Sequence, residues 1–115
     1  MWVASPRAVV GMFLHALELP APDWGLNRSV NLPGLVVSME EELAALRAVG
    51  GAAAVSLVRH EPDEQVLRLV RTWAPRFDTA RARAMGFRAD ADFESIVRSY
   101  VADHPDAIRL GRAGQ

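Results

Sequence analysis

The sequence predicts a small, helix-rich α/β domain with two short parallel strands. Apolar residues make up 50% of the chain and charged residues 23%, a balance typical of a globular domain that buries a core. Segments with the apolar period of a helix alternate with two short runs of branched or small residues, expected as strands at 29–32 and 54–59. Because one helix separates these strands and the loops are short, a right-handed parallel crossover is favoured.

The first helix is expected from Pro6 to Glu18. Ser5 is a residue type that caps helices through its side-chain oxygen, and Pro6 suits the first helical position. Its apolar residues recur at helical spacing and are expected to face the core. They are Val9, Val10, Phe13, Leu14 and Leu17.

The second helix is expected at 39–49. Ser38 and Glu41 form a capping box, and the glycine pair at 50–51 closes the helix. A third helix is expected at 62–74, where an acidic first turn complements the helix dipole. Its apolar stripe consists of Val66, Leu69, Val70 and Trp73.

The C-terminal part carries two further helix signals. Asp78 can cap a short helix through residue 85, and Phe87 is placed to pack back over its C-terminus. A last helix is expected at 93–103. The residues expected on its inward face are Ile96, Val97, Tyr100 and Val101. The domain is expected to cover residues 1–104, with a frayed tail at 105–115.

Charge and composition exclude several classes of protein. The net charge is −1 and the basic residues form no stripe that could neutralise a row of phosphates, so no nucleic-acid partner is expected. No apolar run reaches the roughly 18 residues that span a bilayer, so no membrane partner is expected and a cytoplasmic location is favoured. Cysteine and lysine are both absent. Disulfides, thiolate catalysis and lysine chemistry are therefore excluded.

The sequence offers no catalytic, cofactor-binding or metal site. Its glycines never form the spacing of a dinucleotide-binding loop or a P-loop, and its serines lack the G-x-S-x-G context of a nucleophile elbow. The histidines at 15, 60 and 104 fall in separate predicted elements. They are expected to be solvated or satisfied in the core rather than to bind a metal.

Anion binding is the one chemistry that the residues favour. Ser5 and Arg7 lie at a predicted helix N-terminus, where free backbone N–H groups and the helix dipole attract an anion. The alternative is an ordinary capped helix with Arg7 in solvent. Arg76, on a loop stiffened by aromatic and proline neighbours, is the second candidate, and its alternative is a salt bridge to Asp78 or Glu64. A further group of arginines is interpreted as a solvated face of the protein: Arg81, Arg83 and Arg88.

Nearly the whole chain resembles the C-terminal, substrate-binding portion of the NAD-dependent epimerase/dehydratase family, the extended short-chain dehydrogenases. Four segments in order carry the resemblance: the Ser-Pro-Arg helix start at 5–7, the strand and turn at 30–34, the capped helix from Ser38, and the segment 77–90. Within the family, the sequence is most similar to the branch that acts on small sugar acids.

The resemblance implies the substrate-binding subdomain of an oxidoreductase with a Rossmann-type cofactor domain that is absent from this chain. Ser5, Arg7 and Arg76 would contact a small anionic substrate, a sugar acid such as D-erythronate. The full-length enzyme would use NAD(P), but this chain lacks the family's glycine-rich loop and Tyr-x-x-x-Lys pair, so we expect a truncated fragment that is inactive alone. The alternative is a free-standing, non-catalytic interaction or regulatory module with the same fold. Both hypotheses allow a homo-oligomer.

Overall fold

The computed structural model describes residues 1–107. Its strands are β1 (Trp2–Val3) and β2 (Leu35–Val36). Its helices are α1 (Pro6–Glu18), α2 (Met39–Val55), α3 (Glu64–Val70), α4 (Ala80–Ala84) and α5 (Phe93–Asp103), with 3₁₀ turns at Ala21–Trp24 and Pro105–Ala107. The tail expected at 105–115 lies outside the described residues from position 108 onwards.

The strands differ from the expected parallel pair. β1 and β2 pair in antiparallel fashion, with Trp2 opposite Val36, so the predicted parallel arrangement is wrong. Neither predicted strand forms. Residues 29–32 run without a strand assignment, and 54–59 begins inside α2.

Two local causes explain the missing strands. Val30 and Leu32 pack against the hydrophobic core around Met12, so their alternation reflects burial of one side of a loop rather than pairing in a sheet. At 52–54, three alanines, which favour helix strongly, continue α2 beyond its break. The break itself lies where the sequence predicts it, because Gly51 adopts a φ of 71°, which favours glycine.

The core lies between α1 and α4. Met12, Ala82 and Phe87 form its centre and are at most 3% exposed. The predicted closure of the fourth helix is confirmed, because Gly86 takes a φ of 90° and the Phe87 N–H donates to the Ala82 carbonyl at 3.0 Å. Partly buried residues surround this centre: Ala8, Ala16, Leu19, Trp24, Val30, Leu32 and Met85.

α1 has the predicted bounds and cap, but it turns a different face inward. Ala8, Met12 and Ala16 face the core, where the two alanines allow a close approach. Of the residues expected to face inward, Val9 is partly buried. The other four are exposed: Val10 by 56%, Phe13 by 63%, Leu14 by 56% and Leu17 by 82%. The orientation predicted for this helix is therefore wrong.

α2 packs against α5, and both helices begin at predicted residues. The capping box of Ser38 and Glu41 is present on α2, and Asp92 caps α5. The expected inward face of α5 is only partly buried, and Tyr100 is 55% exposed. The Tyr100 ring stacks on the exposed His104 ring, with the ring centroids 4.3 Å apart. The C-terminal end of this helix face therefore lies at the protein surface.

We name residues 56–77, which contain α3, the exposed arm. Every residue of the arm except Val70 is exposed. Asp63 caps α3 by accepting the N–H groups of Gln65 and Val66 at 2.8 and 3.1 Å. The apolar stripe predicted for this helix largely faces solvent, since Val66 is 54%, Leu69 59% and Trp73 58% exposed.

The chain exposes more surface than a compact domain of its mass. Its accessible surface is 9029 Å² at 12.6 kDa, where the scaling for folded monomers gives about 6,200 Å². Its radius of gyration is 17.7 Å, against about 13 Å for a compact chain of this length. The excess is roughly 2,800 Å², and exposed apolar side chains of the described residues contribute to it.

Candidate functional site

Ser5, the first predicted substrate residue, is buried at the start of α1 and is 1% exposed. Its N–H donates to one carboxylate oxygen of Asp90 at 2.8 Å and its hydroxyl donates to the other at 2.5 Å. The Ser5 hydroxyl oxygen in turn accepts the Ala8 N–H at 3.0 Å. The negative charge favoured at this helix N-terminus is thus supplied by the chain's own Asp90.

Arg7, the second predicted residue, forms an ion pair with Asp103 at the end of α5. Its Nε donates to Oδ2 at 2.8 Å and its second nitrogen, Nη2, donates to Oδ1, so both oxygens of the carboxylate are held by one guanidinium. The hydrogen bonds from Arg7 lower the pKa of the Asp103 carboxyl, and the same contact raises the pKa of Arg7. The two side chains are 55% and 40% exposed, so solvent reaches the pair.

A groove of about 510 Å³ runs between α1 and the segment 86–90. Arg7, Gly11 and His15 line it from α1, and Arg88 and Asp90 line it from the other side. Apart from the neighbouring residues and backbone of α1, no heavy atom lies within 4 Å of the position that a Cβ of Gly11 would take, so the groove is open beside the helix. The structure therefore places one predicted residue, Arg7, beside a cavity large enough for a small ligand.

Arg76, the third predicted residue, lies in the exposed arm. Within residues 1–107 it forms no ion pair, and Asp78 instead accepts the Ala80 N–H at 3.0 Å. Its chain neighbours Ala74 and Phe77 line an apolar pocket of about 390 Å³, together with Met1, Trp2, Val3 and Trp73, but Arg76 itself does not. The structure therefore does not bring Arg7 and Arg76 together at one cavity.

Arg81 has a role that sequence reasoning missed. Its guanidinium donates to the carbonyl oxygens of Ser29 at 3.2 Å and Trp24 at 2.6 Å, and also to that of Asn27. It therefore fixes the loop that follows the first 3₁₀ turn, although the sequence suggested a solvated arginine. No local pattern could reveal this role, because the acceptors are backbone carbonyls more than 50 residues away in the chain.

The described residues do not fit a dinucleotide. Such a cofactor needs a glycine-rich turn that leads from a strand into a helix N-terminus. Gly25, Gly51 and Gly86 have positive φ, and each follows a helical segment instead. Among residues 1–107 no group of three or more histidines and carboxylates is arranged to hold a metal ion. Over the same residues, no helix has the length and apolar character needed to cross a bilayer.

Comparisons with known proteins give two similar sequences and one similar solved structure. No family model matches the chain. It is 34% identical over 101 residues to a D-erythronate dehydrogenase of Haemophilus influenzae, covering 88% of this chain and 32% of that protein. A D-erythronate dehydrogenase of Cupriavidus necator is 39% identical over 103 residues, covering 90% of this chain and 32% of that protein.

The fold also matches a solved structure. A nucleoside-diphosphate-sugar epimerase from Agrobacterium tumefaciens superimposes with a TM-score of 0.86 at 39% identity, covering 91% of this chain and 31% of that one. The chain spans about a third of the length of the curated relatives it matches. It is therefore similar to the C-terminal part of D-erythronate dehydrogenases and to part of a nucleoside-diphosphate-sugar epimerase, and these similarities support the resemblance to the NAD-dependent epimerase/dehydratase family.

Proposed function

We propose that this chain is the substrate-binding part of an NAD(P)-dependent oxidoreductase that acts on a small sugar acid such as D-erythronate. The observation that carries the proposal is the match of 91% of the chain, at 39% identity, to one third of a sugar-nucleotide epimerase, together with curated relatives named D-erythronate dehydrogenase. The cofactor would be held by a Rossmann-type domain outside these 115 residues. Alone, the chain would not turn over substrate.

The exposed apolar surface supports a domain-sized partner. A standard complex covers about 800 Å² on each partner, whereas this chain exposes roughly 2,800 Å² more than a compact monomer. Phe13, Leu14 and Leu17 of α1 form one such face, and Trp73 and Phe77 of the exposed arm form another. We therefore expect self-association when the chain is prepared without its partner.

Within the proposed enzyme, Arg7 would hold the acid end of the substrate, and Arg76 would contact the substrate from the exposed arm. A guanidinium offers two parallel N–H donors to a carboxylate and stays charged at any working pH. Ser5 would act indirectly, because its bonds to Asp90 fix the start of α1 and thereby the position of Arg7. The binding energy at the acid end would orient the carbon that reacts with the nicotinamide.

A chimera tests this proposal. The 103-residue matching region of the Cupriavidus necator enzyme is replaced by this chain, and NADH formation is measured with D-erythronate. We expect activity, and we expect Arg76→Ala to raise KM at least about tenfold, a loss of roughly 1.4 kcal/mol. Arg71→Ala, on the same exposed arm, is the matched control and leaves KM unchanged.

A folded but inactive chimera would contradict the proposal and favour the second candidate, a non-catalytic interaction module. The observation in favour of that candidate is the exposed aromatic pair Trp73 and Phe77 beside Arg76, since tryptophan and arginine are enriched among the residues that dominate protein–protein binding. An active chimera with an unchanged KM after Arg76→Ala would remove Arg76 alone from the site.

A further inference from the structure

The two carboxylates at the start of α1 differ in how firmly they are held. Asp90 accepts two hydrogen bonds from Ser5, which is 1% exposed, so removing Asp90 would leave buried donors unpaired. Asp103 contacts Arg7 at the surface, where both partners are about half exposed. Exposed ion pairs contribute little net stability. Asp103 is therefore the carboxylate that an external anion can replace.

The geometry of the Arg7 pair matches what a substrate acid would present. One guanidinium face holds both oxygens of the Asp103 carboxylate, and any small carboxylic acid carries the same planar pair of oxygens. A ligand that replaced Asp103 on Arg7 would adjoin the groove, because Arg7 and Arg88 both line it. Within residues 1–107, Arg88 forms no ion pair, so its charge is free to favour an anion there.

We propose that Asp103 is a built-in competitor of the substrate: it occupies Arg7 in the free protein, and a small hydroxy acid displaces it and binds in the groove between Arg7 and Arg88. The inference rests on the proposed function for the identity of the acid. It adds a residue that sets the affinity of the site without contacting the substrate. Asp103 thus keeps Arg7 oriented in the empty site and raises the concentration of acid needed to fill it.

Titration of the chain with D-erythronate, followed by NMR of its arginine side chains, tests the proposal. We expect saturable binding that shifts the Arg7 and Arg88 signals, and no binding of erythritol, the neutral polyol of the same carbon skeleton. Asp103→Asn removes the competitor and is expected to tighten binding about two- to fivefold. Arg7→Ala is expected to abolish binding.

Glu94→Gln is the matched control, because it breaks the other exposed ion pair of α5, with Arg98, away from the groove. We expect it to leave the affinity unchanged. Equal or weaker binding by Asp103→Asn, binding of erythritol, or no saturable binding at all would overturn the proposal.

The same variant in the chimera separates this inference from the proposed function. Asp103→Asn is expected to lower KM for D-erythronate about two- to fivefold with kcat unchanged. If the chimera is inactive but the isolated chain binds the acid, and binds it more tightly after Asp103→Asn, only the proposed function is contradicted. If the chimera is active but Asp103→Asn leaves its KM unchanged, only the role proposed for Asp103 is contradicted.

Discussion

α1 and α3 begin with equally clear signals and end in different environments. Ser5 caps α1 and Asp63 caps α3, each by accepting backbone N–H groups of the first turn. α1 packs through Met12, which is 3% exposed, whereas α3 has six exposed residues and a partly buried Val70. A cap therefore determines where a helix begins and says nothing about what covers it. The exposed arm carries apolar residues that the rest of the described chain does not cover.

Shortening a core side chain should have the largest effect on the stability of the fold. Phe87→Ala removes a buried ring that packs on His15 and Trp24 edge to face, and we expect it to lower the free energy of unfolding by about 3 kcal/mol or more. Trp73→Ala, in the exposed arm, should cost less than about 0.5 kcal/mol. Urea unfolding measures both. Similar losses of unfolding free energy for the two variants would contradict the difference between the buried core and the exposed arm.

Asp90→Ala should have the next largest effect. The variant leaves the buried N–H and hydroxyl of Ser5 without their acceptor, which should cost about 2 kcal/mol. Asp23→Ala, at an exposed carboxylate of the first 3₁₀ turn, is the control and should change stability by no more than about 0.5 kcal/mol. A loss as small for Asp90→Ala would show that the start of α1 does not depend on it.

Arg81→Ala should loosen one loop rather than the whole chain. Losing the bonds to three backbone carbonyls should cost about 1 kcal/mol and speed amide exchange at 24–29. Arg68→Ala, on α3, should leave exchange of that loop unchanged. Equal exchange in the two variants would contradict the role assigned to Arg81.

The smallest effect should be that of the Arg7–Asp103 pair on stability. Because Arg7 lowers the pKa of Asp103, the pair stabilises the fold above the ordinary carboxyl pKa of about 3.9, and this contribution is lost as the pH falls through the lowered value. Wild type should therefore unfold at slightly higher urea than Asp103→Asn at pH 7, and the difference between the two should shrink as the pH falls below the ordinary carboxyl pKa. A difference that grows towards acid pH would have the wrong sign.

Local signals account for what the sequence predicts correctly. The bounds of α1 and α5, the Ser38 capping box and the turn at Gly86 each depend on residues within a few positions of one another. The observed strands were not predicted, because their pairing depends on a distant partner: residue 2 pairs with residue 36. The buried face of α1 was predicted wrongly for a related reason. The larger apolar stripe of this helix is exposed, and only the smaller face that carries Ala8 and Met12 packs in the core.

The candidate site was only partly accessible to sequence reasoning. Ser5 and Arg7 stand out because a helix N-terminus attracts anions. Their partners are 85 and 96 residues away, and Asp90 and Asp103 carry no motif that could identify them. Long-range pairs of this kind become visible only once the helices are packed.

Amide hydrogen exchange of the isolated chain and of the chimera tests the central claim most directly, that the exposed arm is covered by a domain outside these residues. We expect α1 and α4 to be protected in both proteins, and α3 to exchange almost freely in the isolated chain but at least about tenfold more slowly in the chimera. Equal protection of α3 and α1 in the isolated chain, or an unprotected α3 in an active chimera, would contradict the claim.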